Sequence, residues 1–498
     1  MAKFVPVEPF DLVIFGGTGD LARRKLLPSL YHRHLDGQFS EDSRIVAVSR
    51  GALGLEDFRA LVREALETHL DEGDLDESSW QSFSERLFYH EQDVTSAEGW
   101  DGLSSLLDQT KTRIRVFYLA MSPSLFGVTA RNITGAGLAN QQSRIVLEKP
   151  VGTDLESAQT INNDVGAVFE ESQIYRIDHY LGKETVQNLS ALRFANSLFE
   201  PLWRRGAIDH VQISVAEHIG VGNRAEFYSR TGALRDMVQN HMLQLLCLVA
   251  MEPPASMDHD DVRNEKIKVL KALRPITRDN VKRVTVRGQY KAGAINGEAV
   301  PGYLAELEEQ ESRESGVNTE TFVAIKAEID NWRWSGTPFY LRTGKRLATK
   351  ASEIVIQFRP VAHSIFDDTA GEVVANRLTI RLQPNEGVNL TMMSKEPGPG
   401  GFKLKSLPLN LSFSEAFPLR YPDAYERLLM EVLRGNPALF MRRDEVESAW
   451  RWIDQIIESW ELVQQKPESY LAGSWGPTDA ALLLDRDQRE WYDPEAAD

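Results

Sequence analysis

The feature that most narrows what this chain can fold into is a glycine cluster set directly behind an apolar run. Leu12-Val13-Ile14-Phe15 reads as a buried strand, and Gly16-Gly17-Thr18-Gly19-Asp20-Leu21-Ala22 follows it. The turn opens into an amphipathic segment from about Leu21 to Leu35, with Arg23, Arg24 and Lys25 at its start, and Pro28 is expected to bend or interrupt that helix. Glycines at a strand-to-helix turn let the backbone approach a pyrophosphate, while the helix N-terminus offers free N–H groups and a partial positive charge. In the first βα unit of a chain this pattern points to dinucleotide binding, and its bland alternative is an ordinary tight turn.

The alternation continues. Strands are expected at Arg44–Ser49, Leu87–Asp93, Ile114–Ala120, Arg144–Leu147 and Ile174–Ile177, with helical stretches near 55–70, 97–108, 124–139 and 154–170. Such βαβα order implies a parallel sheet with helices on both faces, an α/β Rossmann-type doubly wound domain over residues 1–180. Past about residue 200 the pattern changes to period two: Val211, Ile213 and Val215 alternate with Gln212, Ser214 and Ala216, and similar runs recur near 281–290, 320–329, 351–358, 376–382 and 387–393. Residues 181–498 therefore read as an α+β domain with a large, mainly antiparallel sheet, with helices near 231–251, 258–273 and 443–465. Residues 293–319 are polar and expected to form a long surface excursion.

Composition sets outer limits. The 56 Lys and Arg against 73 Asp and Glu leave a net charge of −17, which argues against a chain that coats nucleic acid or an anionic membrane. At 498 residues, two or three domains are expected rather than one core. The single cysteine, Cys247, excludes an internal disulfide and a cysteine metal cluster and fits a reducing, cytoplasmic home. Its surroundings, Leu245 to Met251, form about the longest apolar run, far short of the roughly 18 residues a membrane span needs.

Candidate site residues cluster where strands end. The second strand closes in Val48-Ser49-Arg50, where NAD-binding chains usually carry an acid; an arginine there can pair with the 2′-phosphate of NADP, or can be a solvated surface group. Asp93, with Val94 beside it, closes the third strand and could touch the adenosine edge. Arg144–Leu147 runs into Glu148-Lys149-Pro150, which sets Lys149 at the crevice or makes it a simple capping charge. Ile174–Ile177 runs into Asp178-His179-Tyr180-Leu181-Gly182-Lys183; if a helix starts there, His179 and Lys183 share a face and offer several donors to one anion. In the helical stretch 232–243, Leu234, Val238, His241 and Leu245 recur at helical spacing, so His241 is either a satisfied core histidine or, facing a crevice, a general base. Glu217 continues the inward phase of Val211, Ile213 and Val215, where a carboxylate is costly unless paired or used.

Together, Gly-Gly-Thr-Gly-Asp-Leu-Ala, Glu-Lys-Pro-Val-Gly, Arg-Ile-Asp-His-Tyr-Leu-Gly-Lys-Glu at 176–184 and Arg-Thr-Gly-Lys-Arg at 342–346 resemble the glucose-6-phosphate dehydrogenase family over nearly the whole chain. The 176–184 string is the most specific of them. The resemblance implies oxidation of β-D-glucose 6-phosphate to the 1,5-lactone, with NADP as cofactor and NAD as a weaker alternative. It also implies a large sheet that usually forms a dimer interface, hence a homodimer or homotetramer. Carried over residue by residue, His241 is the general base and Asp178 orients it. Lys149 stands between nicotinamide and the reacting carbon; His179, Tyr180 and Lys183 hold the 6-phosphate; Glu217 and Asp236 bond sugar hydroxyls; Lys345 and Lys350 help bind the substrate. Gly16, Gly17, Thr18, Gly19, Asp20, Leu21, Arg50, Asp93, Val94 and Lys149 line the cofactor, and no metal is required. The rival readings are another NAD(P)-dependent sugar oxidoreductase sharing the Glu-Lys-Pro element, and a catalytically silent dinucleotide sensor.

Overall fold

In the computed structural model, which describes residues 5–494 other than 109–112, 309–316, 400, 417–419 and 421, the first six strands all run parallel. They are β1 (Phe10–Phe15), β2 (Arg44–Ser49), β3 (Leu87–Glu91), β4 (Ile114–Leu119), β5 (Arg144–Leu147) and β6 (Ile174–Ile177). Their order in the sheet is β3-β2-β1-β4-β5-β6, the doubly wound arrangement in which ligands bind outside the carboxyl ends of the strands, where the order reverses between β1 and β4. Every residue of β1 and β4 is buried, because helices cover both faces and leave no polar side to alternate with.

The helix after β1 is not broken at Pro28. Residues Ala22–Leu26 form a π-helical turn, with Leu27 N–H bonding Ala22 O, and an α-helix continues over Leu27–Leu35. Proline cannot donate and its ring crowds the carbonyl four residues back, so a local change of hydrogen-bond step absorbs it where a kink was expected. On the same helix, His34 Nε2 lies 2.7 Å from Ser82 Oγ, and burial, aided by the Arg86 charge, pulls its pKa down to about 4. Unfolded histidine titrates near 6.5, so below that pH the unfolded chain takes up a proton that the folded chain refuses until about pH 4. Stability should therefore fall as pH drops through that window, and His34→Gln should flatten that part of the fall. Thermal melts of both proteins at pH 4.5 and 7 check this.

Two segments expected in the second domain belong to this first unit, which comprises Met1–Glu184, Pro254–Asn264 and Tyr421–Glu447. Helix Ala424–Arg434 buries Leu428, Leu429, Val432 and Leu433 in the same core as Tyr31, Tyr118 and Ile177, and Phe440–Met441 pairs antiparallel with β6. Its ends are well specified: Asp423 and Glu426 form a capping box, and Gly435 terminates it at φ +78°. Sequence-remote residues thus complete one face of the parallel sheet.

The second unit, Thr185–Pro253 with Glu265–Arg420 and Ser448–Asp498, is built on a nine-stranded sheet. Its strands are β7 (Ile208–Ala216) and β8 (Thr285–Lys291), then, past a separate two-stranded hairpin of β9 (Gly293–Ile295) and β10 (Glu298–Val300), β11 (Phe322–Ala327), β12 (Phe339–Gly344), β13 (Ala351–Phe358), β14 (Arg377–Gln383), β15 (Gly387–Lys395), β16 (Leu404–Ser412) and the short Glu468–Leu471. β12 runs parallel to β7 and Glu468–Leu471 parallel to β8; the remaining pairs are antiparallel. β12 lacks period-two polarity because both its faces are covered, and Arg342 lies between the rings of Trp475 and Trp491, 4.7 and 4.4 Å from their centroids. The expected surface excursion is not one throughout: after the hairpin, helix Tyr303–Glu308 buries Tyr303, Glu306 and Leu307, while 309–316 lies outside the described residues. Among the described residues no helix is long and apolar enough to cross a membrane.

Candidate active site

At the carboxyl end of β1, Gly16 adopts φ +83° and donates its N–H to Val48 O at 2.8 Å; Gly17 shares that acceptor at 3.3 Å. Arg23 N–H reaches Gly19 O, so the helix begins immediately after Gly19 and the first N–H groups of its opening turn have no acceptor within the helix. Gly19 N–H is taken by Gly16 O at 2.9 Å, but Gly19 and Asp20 are exposed, so bare backbone at a helix start is open to solvent, a surface that fits a pyrophosphate. The cationic helix start carries exposed ion pairs, Arg23 with Glu64, Arg24 with Asp20 and Lys25 with Asp423. Arg50 is exposed at the end of β2. Asp93 is committed locally, its Oδ1 accepting from the N–H and hydroxyl of Thr95, and these bonds, with a smaller effect of Arg50, hold its carboxyl below the usual range. Val94 beside it is buried.

At the end of β5, Lys149 stands beside a side chain that the sequence did not single out. Glu148 is buried, accepts from Tyr118 Oη at 2.5 Å and from Lys149 N–H at 3.2 Å, and also bonds the Tyr425 hydroxyl. Burial pushes the Glu148 carboxyl up, and burial with the nearby acid pushes both tyrosines up, so the hydroxyls keep their protons and donate. The signal was adjacency to Lys149; its partners, one of them 277 positions further on, have no linear signature.

Past β6 no helix starts before Glu184. Leu181, Gly182 and Lys183 instead donate in succession to Asp178, His179 and Tyr180 carbonyls, a three-residue repeat that separates His179 from Lys183 and brings Lys183 to Tyr180. The expected shared face is thereby replaced: Lys183 Nζ lies 3.9 Å from the Tyr180 ring centroid, and the His179 ring stacks on Tyr425 at 6.2 Å with planes 14° apart. Asp178 is buried and caps the turn, its Oδ1 accepting from Tyr180 N–H at 2.9 Å. Gly182 cannot carry a side chain, since a Cβ would lie 2.7 Å from Ala424 O. The parallel sheet therefore sets Gly16–Leu21, Arg50, Asp93, Lys149 and Asp178–Lys183 along one edge.

In the second unit, Glu217 lies one residue past β7, and its Oε2 meets Lys345 Nζ at 2.8 Å. Lys345 Nζ is also 5.1 Å from the Tyr228 ring centroid. Burial, then the Asp236 and Glu217 charges, push the Tyr228 hydroxyl well up, so this residue, missed in the sequence, keeps its proton beside Lys345. His241 is wholly buried and Asp236 nearly so. The segment Leu234–Met242 is π-helical, buried nearly all round, so the apolar stripe inferred at α-helical spacing does not describe it. An i→i+5 hydrogen-bond step sets His241 one turn above Asp236, whereas five α-helical steps of about 100° would turn them well apart. Lys350 is exposed, just before β13.

Six parallel strands of a doubly wound sheet with a glycine turn at the switch point, and a cluster of donors at the end of the sixth, have the layout of a nicotinamide-dinucleotide-dependent dehydrogenase. Family models described as glucose-6-phosphate dehydrogenase, NAD binding domain and C-terminal domain match residues 13–188 and 190–492. The glucose-6-phosphate 1-dehydrogenase of Rhizobium meliloti is 57% identical over 493 residues, 99% of each chain, and that of Mycolicibacterium smegmatis 51% identical over 98% of each. A solved structure of glucose-6-phosphate dehydrogenase in complex with its substrate glucose 6-phosphate superposes with a TM-score of 0.89 at 33% identity, covering 99% of this chain and all of the other. The chain belongs to the glucose-6-phosphate dehydrogenase family.

Proposed function

We propose that the chain oxidises β-D-glucose 6-phosphate at C1 to 6-phospho-D-glucono-1,5-lactone with NADP as oxidant, the first step of the oxidative pentose phosphate pathway. The observation that carries this reading is the turn after β6, where the His179 ring, 5.1 Å from that of Tyr180, and the Lys183 ammonium, 3.9 Å from it, flank one tyrosine at the carboxyl edge of the sheet. Cationic and neutral donors on consecutive backbone turns suit a phosphate better than a plain sugar.

The chain's own residues then divide the work. His179 and Lys183 hold the phosphate, with Tyr180 beneath the ammonium. Glu217, Asp236, Lys345 and Lys350 engage the sugar, the Glu217–Lys345 pair presenting an acceptor and a donor together. His241 takes the C1 hydroxyl proton on an imidazole nitrogen, and Asp178 stabilises its charged form. When bound, the nicotinamide ring supplies the hydride acceptor, and Lys149 stands where ring and sugar would meet. A homodimer or homotetramer is part of the same reading, for the edge strand β16 exposes Leu407, Leu409 and Leu411 on one face. So is a cytoplasmic location, from the lone cysteine.

Nicotinamide absorbance on mixing protein, glucose 6-phosphate and NADP tests the reading, with plain glucose and with NAD as parallel arms. Equal rates on glucose and its phosphate would assign the chain to another sugar oxidoreductase, and no reduction at all would leave a silent dinucleotide binder. Arg50→Ala should raise KM for NADP about tenfold, the weight of one charge-assisted contact of roughly 1.5 kcal/mol, with a much smaller change for NAD. Equal losses for both cofactors would remove the 2′-phosphate contact.

A further inference from the structure

The turn that presents Lys345 is held by side chains to which the reaction gives no role. Arg346 adopts φ +52°, in the left-handed region that side chains rarely enter. Its N–H donates to Ile219 O at 3.1 Å, Leu347 N–H donates to Glu217 O at 2.9 Å, and Glu217 N–H donates to Gly344 O at 3.0 Å. These bonds tie residues 344–347 to 217–219, so the register between Glu217 and Lys345 depends on Arg346 keeping its conformation.

A buried acid from the segment after the β9–β10 hairpin keeps it there. Arg346 Nη2 meets Glu306 Oε1 at 2.8 Å, with the two side chains 19% and 6% exposed. Glu306 Oε2 accepts from Val221 N–H at 3.0 Å, Gly222 N–H at 3.3 Å and the Tyr290 hydroxyl at 2.7 Å. Burial and the Glu306 charge push the Tyr290 hydroxyl up, so it keeps the proton it donates. One carboxylate thus joins the loop after β7, strand β8 and the turn after β12. A Cβ on Gly220 would lie 2.5 Å from Glu306 Oε1 and 2.7 Å from Arg346 Nε, so the ion pair rests against bare backbone.

We propose that Glu306 and Arg346 are positioning residues that set where the Lys345 ammonium and the Glu217 carboxylate stand for the sugar phosphate. The proposal rests on the reading of those two groups as substrate-binding. A long lysine chain loses rotamer freedom when it is held in one place, and a small displacement of a positioning group is felt strongly by the bound substrate. Deleting either partner of the pair also leaves a buried charge uncompensated, so the turn would relax toward solvent.

Steady-state kinetics on full-length R346G, R346K, G220A and K345Q test this. Glycine accepts φ +52° without strain, so R346G adds no backbone strain of its own while removing the whole side chain, guanidinium included. It is expected to raise KM for glucose 6-phosphate on the order of tenfold, with kcat within about twofold and KM for NADP unchanged. R346K should recover most of the loss, and G220A, which crowds the pair while leaving both side chains, should reproduce the rise. Wild-type KM in R346G alongside a raised KM in K345Q overturns the positioning role alone. Wild-type KM in K345Q overturns the substrate-binding reading of Lys345 and the proposal with it. Parallel losses for both substrates mark a merely structural pair and also overturn it.

Discussion

His241→Asn is expected to lower kcat by about 10²- to 10⁴-fold, the span that a positioned general base contributes. The C1 hydrogen leaves with its electron pair only as the hydroxyl proton departs, and asparagine offers no basic nitrogen to receive it. The substitution should be well tolerated by the fold, because asparagine is smaller, polar and able to bond within the same buried helix. The backbone there is independently held, with His241 N–H on Asn240 Oδ1 at 2.6 Å. Binding of glucose 6-phosphate, measured by calorimetry, should change only a few-fold, since His179 and Lys183, the residues proposed to hold the phosphate, are untouched. Retention of more than a tenth of wild-type turnover would remove His241 from the role of base.

Gly16→Ala is expected to abolish measurable NADP binding and to lower Tm by several degrees. A Cβ there would stand 2.3 Å from Ala120 O, a backbone atom fixed by its place at the end of β4, and the residue would keep φ +83°. The backbone strain alone costs about 1–3 kcal/mol, and the clash adds to it by forcing the phosphate turn off the sheet. Gly37 supplies the control: it has φ +66° with nothing within 4 Å, so Gly37→Ala carries strain without a clash. Gly37→Ala should lower Tm modestly and leave the dinucleotide dissociation constant unchanged. If the two variants bound NADP equally, close approach of backbone at Gly16 would not be the requirement.

Much of the first unit was legible because a parallel sheet writes itself locally. Strands buried on both faces read as apolar runs, the βα order fixes direction, and strand endings put Lys149 and Asp178 at the carboxyl edge, while the roles expected of them came from the family resemblance. The second unit was less legible. β12, which carries Arg342 within a fully covered strand, has no period-two polarity, and Glu306 sits in a stretch rich in Gly and Glu that resembles a solvated loop. The helix carrying His241 misled spacing arguments for a different reason: π-helical steps replace the period on which a stripe is counted.

The amino-acid sequence by itself determined the class of fold, the glycine turn of the NAD-binding domain and the short strings that mark the family, because each is set by neighbours within a few residues. Only the tertiary structure decided which distant side chains hold those strings in place. Helix Ala424–Arg434 joins the first unit because its apolar face needs the parallel sheet's core, and it brings Tyr425 to Glu148 and His179. Glu306 finds Arg346 forty positions away because a buried carboxylate is stable only where donors converge on it. Such pairings follow from burial and from satisfying polar groups in three dimensions, and no linear spacing encodes them.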